Sequence, residues 1–291
     1  MNNYNYKIAN LNLSICGGST AELTDKLQGF DLFRTQNTEQ SDIIIKTDCN
    51  SIRETEYNNA EVLIEFTVET TTHTLSKFGE KLFFELRNKE DYSVLLCHNK
   101  NTNIIEMESC NDKFMLRFML WAAYTMVAMR KGVMPIHAST IVFENKCLLF
   151  LGKSGAGKST HSQQWLKHIS GSFLLNDDSP MLRINGDKLF AYGTPWSGKT
   201  PCYKNKKYEI KSLINIIQHT ENEIKKLSDL ASIASVYSSF PTMFFTDEFY
   251  IDYMSDMVSV VVESVPIYTL KCLPNADAAI TVCNKLYKHT L

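Results

Sequence analysis

Gly152, Gly155 and Gly157 run into Lys158, Ser159 and Thr160, and two adjacent carboxylates, Asp177 and Asp178, follow within twenty residues of the lysine. The glycines, with Ser154 and Ala156 between them, let the chain curl so that successive backbone N–H groups point at one anion. A helix starting near Lys158 adds the positive end of its dipole to the same spot. Nucleotide phosphates are the expected guest. In this Walker A pattern the lysine reaches the outer phosphates. The serine hydroxyl holds Mg²⁺, a hard cation that prefers oxygen ligands and keeps several waters.

Such a loop needs a buried strand before it and a helix after it. Residues 147–151 are short and continuously apolar, as a buried strand should be, and Trp165, Leu166 and Ile169 recur at helical spacing behind the loop. The apolar run 173–175 predicts a strand that ends at the Asp pair and lies beside the cradle strand, one helix downstream. One carboxylate then holds Mg²⁺, directly or through water, while the other accepts a proton from an attacking hydroxyl. Asp177 is favoured as base and Asp178 as metal partner, but the two assignments are readily exchanged. The competing reading is a turn or helix cap, because Asp-Asp-Ser-Pro also has good turn chemistry.

The same pattern recurs at residues 193–200, where it is not expected to bind phosphate. Pro195 has no N–H to donate, Trp196 is bulky where an anion must come close, and Pro201 with the polar run 204–207 supplies no amphipathic helix. A rigid loop after a strand at 189–192 fits better. It is either a substrate-facing loop carrying Trp196 and Lys199, the latter a candidate for neutralising charge on a transferred group, or a plain Pro/Gly turn with a half-buried tryptophan.

The remaining composition narrows the function classes. The chain has 291 residues, 44% hydrophobic and 21% charged, with a net charge of −2, which suits a globular protein with a sizeable core. Dispersed basic residues give no footprint for nucleic acid. The apolar stretch 114–129, interrupted by Arg117, reads as a buried helix rather than a membrane span. The first residues lack the charged and apolar regions of a secretory signal, and no membrane partner is expected. Eight cysteines with no Cys-x-x-Cys pair read as free thiols in a reducing compartment, so the cytoplasm is the default expectation. His137, between Ile136 and Ala138, reads on its own as a core or turn histidine. No histidine spacing predicts zinc.

The texture of the chain changes near residue 110. Before it, runs at 42–46, 60–66, 81–85 and 92–96 read as strands punctuated by Asn and Asp. After it come a helix over 113–131, a hairpin from 136–143 into the cradle strand, and strands at 180–184, 189–192, 212–218 and 266–273. Helices over 227–237, 248–257 and 276–287 complete the reading. The expected organisation is a strand-rich region 1–110 of unassigned role and a nucleotide-binding domain 111–291.

His137, the hairpin, the glycine loop with Lys158-Ser159-Thr160, and Leu174-Leu-Asn-Asp-Asp178 together resemble the catalytic domain of HPr kinase/phosphorylase. That family shares its nucleotide-binding fold with phosphoenolpyruvate carboxykinase. The resemblance covers roughly residues 133–290 and implies an α/β fold, a mixed sheet with the P-loop at its rim. It implies phosphate binding by Lys158, Mg²⁺ binding by Ser159, proton transfer and metal binding by the Asp pair, and His137 near the active site. Thr160 departs from the glutamate usual in that family, its Arg- and Gly-rich signature loop is not evident, and residues 1–110 do not resemble its regulatory domain. HPr itself is therefore not carried over as substrate. The expectation is a kinase, an ATP- and Mg²⁺-dependent transferase acting on a hydroxyl of a protein or small molecule, with a homo-oligomer allowed. The alternative is a nucleotide-responsive binding module in which ATP occupancy re-poses the Trp196 loop without phosphate transfer.

Overall fold

The computed structural model describes residues 2–36, 40–53, 56–198 and 200–287. The chain forms two compact units, one of residues Met1–Lys131 with Met243–Phe249, the other of Gly132–Thr242 with Tyr250–Leu291. The helix expected over 113–131 therefore belongs to the first unit, and the boundary falls after Lys131 rather than at residue 110.

The first unit comprises β1 (Asn2–Ile8), β2 (Leu11–Gly17), α1 (Ser19–Asp25), β3 (Ile43–Lys46), β4 (Glu61–Val68), β5 (Thr71–Phe78), β6 (Lys81–Asn88), β7 (Ser93–Asn99), β8 (Ile104–Met107) and α2 (Lys113–Ala128). Its sheet runs β1-β2-β3-β8-β7-β6-β5-β4, with β3 parallel to both neighbours and the other pairs antiparallel. Asp112 caps α2, its Oδ1 accepting from the N–H groups of Phe114 at 2.8 Å and Met115 at 2.9 Å. Such a cap is worth about 1 kcal/mol. From Met115 to Ala128 nearly every side chain of α2 is buried, and the Tyr124 hydroxyl donates to the Ile8 carbonyl at 2.8 Å. The apolar stretch read as a core helix is one. Among the described residues no helix is long and apolar enough to cross a membrane.

The second unit carries β9 (Val133–Pro135), β10 (Ala138–Phe143), β11 (Lys146–Leu151), α3 (Lys158–His168), β12 (Phe173–Asp178), β13 (Met181–Asn185), β14 (Lys188–Tyr192), β15 (Lys207–Gln218), β16 (Glu223–Lys226) and α4 (Asp229–Tyr237). These are followed by α5 (Glu248–Ser264), which belongs here from Tyr250 onward, β17 (Ile267–Cys272) and α6 (Ala276–Tyr287). The sheet order is β12-β10-β11-β15-β14-β13-β9, with β17 paired to β15 and β16. β11 and β17 run parallel to β15, and the remaining pairs are antiparallel, so the fold is mixed α/β.

β10 and β11 form the expected hairpin. Glu144 and Asn145, at φ +48° and +60°, supply the two left-handed positions of a tight turn whose twist matches the strands. That hairpin overturns one expectation. β10 occupies the site next to the cradle strand β11, so β12, which carries the Asp pair, lies one strand further out and pairs with β10. α3 closes the crossover. Its buried face is Lys158, His161, Ser162 and Trp165, at the i, i+3, i+4, i+7 spacing of a helix lying on a sheet, while Leu166 is exposed. Trp165 packs into a core with Ile141, Phe150, Ile214, Leu270 and Val282 of the neighbouring strands and α6. Truncating it to alanine costs about 3–5 kcal/mol.

Candidate functional site

The segment between β11 and α3 is the turn the glycines predict. Gly152, Gly155 and Gly157 sit at φ +142°, +80° and +101°, a half of backbone space that residues with a Cβ rarely enter. A side chain on Gly152 would come within 2.9 Å of Ala156 Cβ and 3.3 Å of the Ile216 carbonyl, whereas Gly155 and Gly157 face open space. The loop is thus packed at its base and open at its tip. Ser154, Gly155, Ser159 and Thr160 are exposed there, and the first turn of α3 leaves backbone N–H groups without intrahelical partners. Gln218, at the end of β15, donates from Nε2 to the Gly155 carbonyl at 3.0 Å and braces the tip. No sequence pattern marks Gln218; it reaches the loop because β15 runs parallel to β11 and ends beside it.

Lys158 is 9% exposed, and its Nζ donates to the Gly152 carbonyl at 2.9 Å and the Lys153 carbonyl at 3.4 Å. Burial pulls its pKa below the usual lysine value, against the opposing pull of Asp178 and Asp177. An ammonium held this way, desolvated and satisfied only by neutral carbonyls, gains strongly from an incoming anion.

The two aspartates occupy different environments. Asp177 is 4% exposed, and its Oδ1 accepts from Ser159 Oγ at 3.2 Å. Asp178 has a side chain 52% exposed, and its Oδ1 stands 3.1 Å from His137 Nε2, whose side chain is 43% exposed. Strand register explains the grouping. Asp178 pairs with Ala138, next to His137, and Asp177 pairs with Ser139, which in turn pairs with Phe150 of β11. The His137 N–H is fixed by the Ser239 carbonyl at 2.8 Å. Lys158, Ser159, Asp177, Asp178 and His137 therefore lie in one connected cluster at the end of the sheet.

The second pattern match makes no cradle. No helix follows it, Gly193 donates to the Lys206 carbonyl at 2.9 Å, and Trp196 is 3% exposed. Of the two readings of this loop, the burial of Trp196 fits the turn with a tryptophan packed inward, more deeply than half-buried, and Asn176 ties the Trp196 carbonyl to β12. Lys199 lies outside the described residues. Among the described residues no group of three or more His, Cys, Asp or Glu side chains is arranged to hold a metal on its own, and all eight cysteines are free, six of them buried.

No protein-family model matches the sequence, and no curated protein matches it. Among solved structures, the HPr(Ser) kinase/phosphatase from Coxiella burnetii is similar at 13% sequence identity and a TM-score of 0.31, over 53% of this chain and 97% of that chain. At that level of superposition the likeness decides nothing about the chemistry, which rests on the cluster itself.

Proposed function

We propose that the protein is an ATP- and Mg²⁺-dependent phosphotransferase acting on a hydroxyl group of a protein or small molecule. The observation that carries this reading is the convergence, at one end of one sheet, of an anion cradle with a buried lysine, a hydroxyl–carboxylate pair, and a solvent-facing carboxylate–imidazole pair. Such a set answers the needs of phosphoryl transfer, which asks a protein mainly for positioning and for charge placed where charge develops.

In this reading Lys158 exchanges the Gly152 carbonyl for a phosphate oxygen, and the backbone of residues 154–160 surrounds the phosphates. Ser159 and Asp177 offer oxygen donors already in contact, the donor type that suits Mg²⁺; the ion, when bound, would neutralise charge on the phosphates. Asp178 takes the proton from the acceptor hydroxyl, and His137 holds its carboxylate in place. The roles of the aspartates are thus exchanged relative to the sequence expectation: the buried one beside Ser159 suits the cation, and the exposed one suits an acceptor arriving from solvent.

Calorimetry of ATP binding with and without Mg²⁺, beside Lys158→Ala, tests the reading, followed by assay of phosphate loss from ATP in the same samples. Mg²⁺-dependent binding that disappears in the variant is expected, with slow loss of the terminal phosphate even before the acceptor is found. Absence of binding by the wild-type chain sinks the proposal.

A further inference from the structure

Asp178 sits at φ +113°, on the side of backbone space that is costly for any residue with a Cβ. Such a conformation persists only where the surroundings enforce it, and here they are specific. Asn176, two residues earlier and fully buried, uses both ends of its carboxamide. Its Oδ1 accepts from the Ser179 N–H at 3.0 Å, and its Nδ2 donates to the Trp196 carbonyl at 3.0 Å and toward Thr194 Oγ1 at 3.3 Å. Thr194, also fully buried, donates from Oγ1 to the Ser179 carbonyl at 2.8 Å and accepts from the Trp196 N–H at 3.2 Å. These two side chains hold both polar groups of the Ser179 backbone, immediately after Asp178.

The held segment then closes on the Asp pair. Ser197 forms an isolated antiparallel bridge with Asp178, and the Gly198 N–H donates to the Asp177 carbonyl at 2.6 Å. A side chain on Gly198 would stand 2.9 Å from Asp178 Cβ and 3.2 Å from its Cγ, so the backbone there lies flat against the aspartate.

We propose that Asn176 and Thr194 are positioning residues that hold Asp178 in its strained conformation and so aim its carboxylate at His137 and the acceptor. This rests on the phosphotransferase reading for its catalytic consequence, but the strain can be measured without it. In Asn176→Ala, kcat falls on the order of a hundredfold while KM for MgATP stays unchanged, since the cradle shares none of these bonds. Thr194→Val behaves alike, and Thr194→Ser, which keeps the hydroxyl, retains the wild-type rate.

Asp178→Gly supplies the readout independent of activity. It relieves the strain and raises the melting temperature in the otherwise wild-type chain, and it gains clearly less in chains that also carry Asn176→Ala or Thr194→Val. An equal gain in all backgrounds, or an unchanged kcat in Asn176→Ala and Thr194→Val, overturns the inference. Where Asn176→Ala does not fold, the Thr194 pair carries the same comparison. A wild-type chain that transfers no phosphate refutes the reaction, and the melting comparison then decides the clamp by itself.

Discussion

Residues 152–159 and 193–200 spell the same pattern, Gly-x₄-Gly-Lys followed by Ser or Thr, and differ in everything the pattern does not spell. In the first, three glycines take positive φ values between a buried strand and a helix, and the lysine is held against the loop's own carbonyls. In the second, neither Gly193 nor Gly198 has a positive φ, no helix follows, and both glycines are needed for close approach. Gly193 lies against Lys204 and Gly198 against Asp178. The first loop leaves its tip open to solvent; the second is packed against its neighbours. A loop pattern acquires meaning from the elements at its two ends, because a helix N-terminus adds its own unpaired N–H groups to those the loop points at one spot.

The widest separation between the loops comes from their charged groups. Lys158→Ala lowers phosphate transfer on the order of a hundred- to a thousandfold and abolishes MgATP binding in calorimetry, with the circular dichroism spectrum unchanged. Loss of transfer without loss of nucleotide binding is the expectation for Asp178→Asn, whereas Asp177→Asn also weakens the Mg²⁺ dependence of binding. The opposite pattern would restore Asp177 as the base.

Alanine scanning of the glycines sharpens the contrast further. Gly193→Ala places a Cβ 2.1 Å from the Lys204 carbonyl oxygen and destabilises the fold by about 3 kcal/mol in denaturant melts. Gly155→Ala meets nothing within 4 Å, costs about 1 kcal/mol for its φ of +80°, and shows its effect as weaker ATP binding. Equal stability losses at the two positions would erase the distinction between an open loop and a packed one.

Acid acts on the helix behind the first loop, and at neutral pH its effect vanishes. His161, on the buried face of the cradle helix, is held neutral by burial, with its pKa pushed down to about 4 from the ordinary 6.5. Below about pH 6.5 the unfolded chain takes a proton that the folded chain refuses. Stability is therefore fully present above that pH and falls as the pH drops toward 4, by about 3 kcal/mol at most from this group. His161→Leu should flatten that part of the stability profile, and an unchanged slope would mean that other groups govern it.

Much of the second unit was legible because its signals are local. Glycine spacing marks the cradle, the apolar run 147–151 marks its strand, and α6 falls at residues 276–287 where its periodicity places it. The misses have physical causes. β15 begins five residues before the strand read at 212–218. Its first part hides behind lysines whose ammonium groups lie over aromatic rings, Lys207 over Phe190 and Tyr192, and Lys211 over Tyr287. α5 continues to Ser264 through Val258 and Val261, β-branched residues that favour strands but here bury one helical face with Met254 and Met257.

In the first unit β5 escaped notice because its inward positions include Thr71 and His73. The His73 ring stacks on Phe66 at 5.0 Å and meets Phe118 edge-on at 4.9 Å, so it behaves as part of an aromatic core. In the site itself, the Asp pair, Lys158 and Ser159 were readable from type and spacing. His137 was expected there only through the family resemblance, and strand register is what sets it beside Asp178; Asn176 and Thr194 carry no pattern because their bonds run to backbone atoms far apart in sequence.

The placement of β10 between β11 and β12 acts as a spacer gauge. Neighbouring strands stand about 4.8 Å apart, so inserting one strand sets the cradle strand and the carboxylate strand about 10 Å from each other. That width is fixed by counting strands and is indifferent to which side chains line it. A one-residue slip of β10 against β11 would therefore leave the gap as it is but turn the side chains of β10 to the opposite face of the sheet, making a question of distance one of alignment.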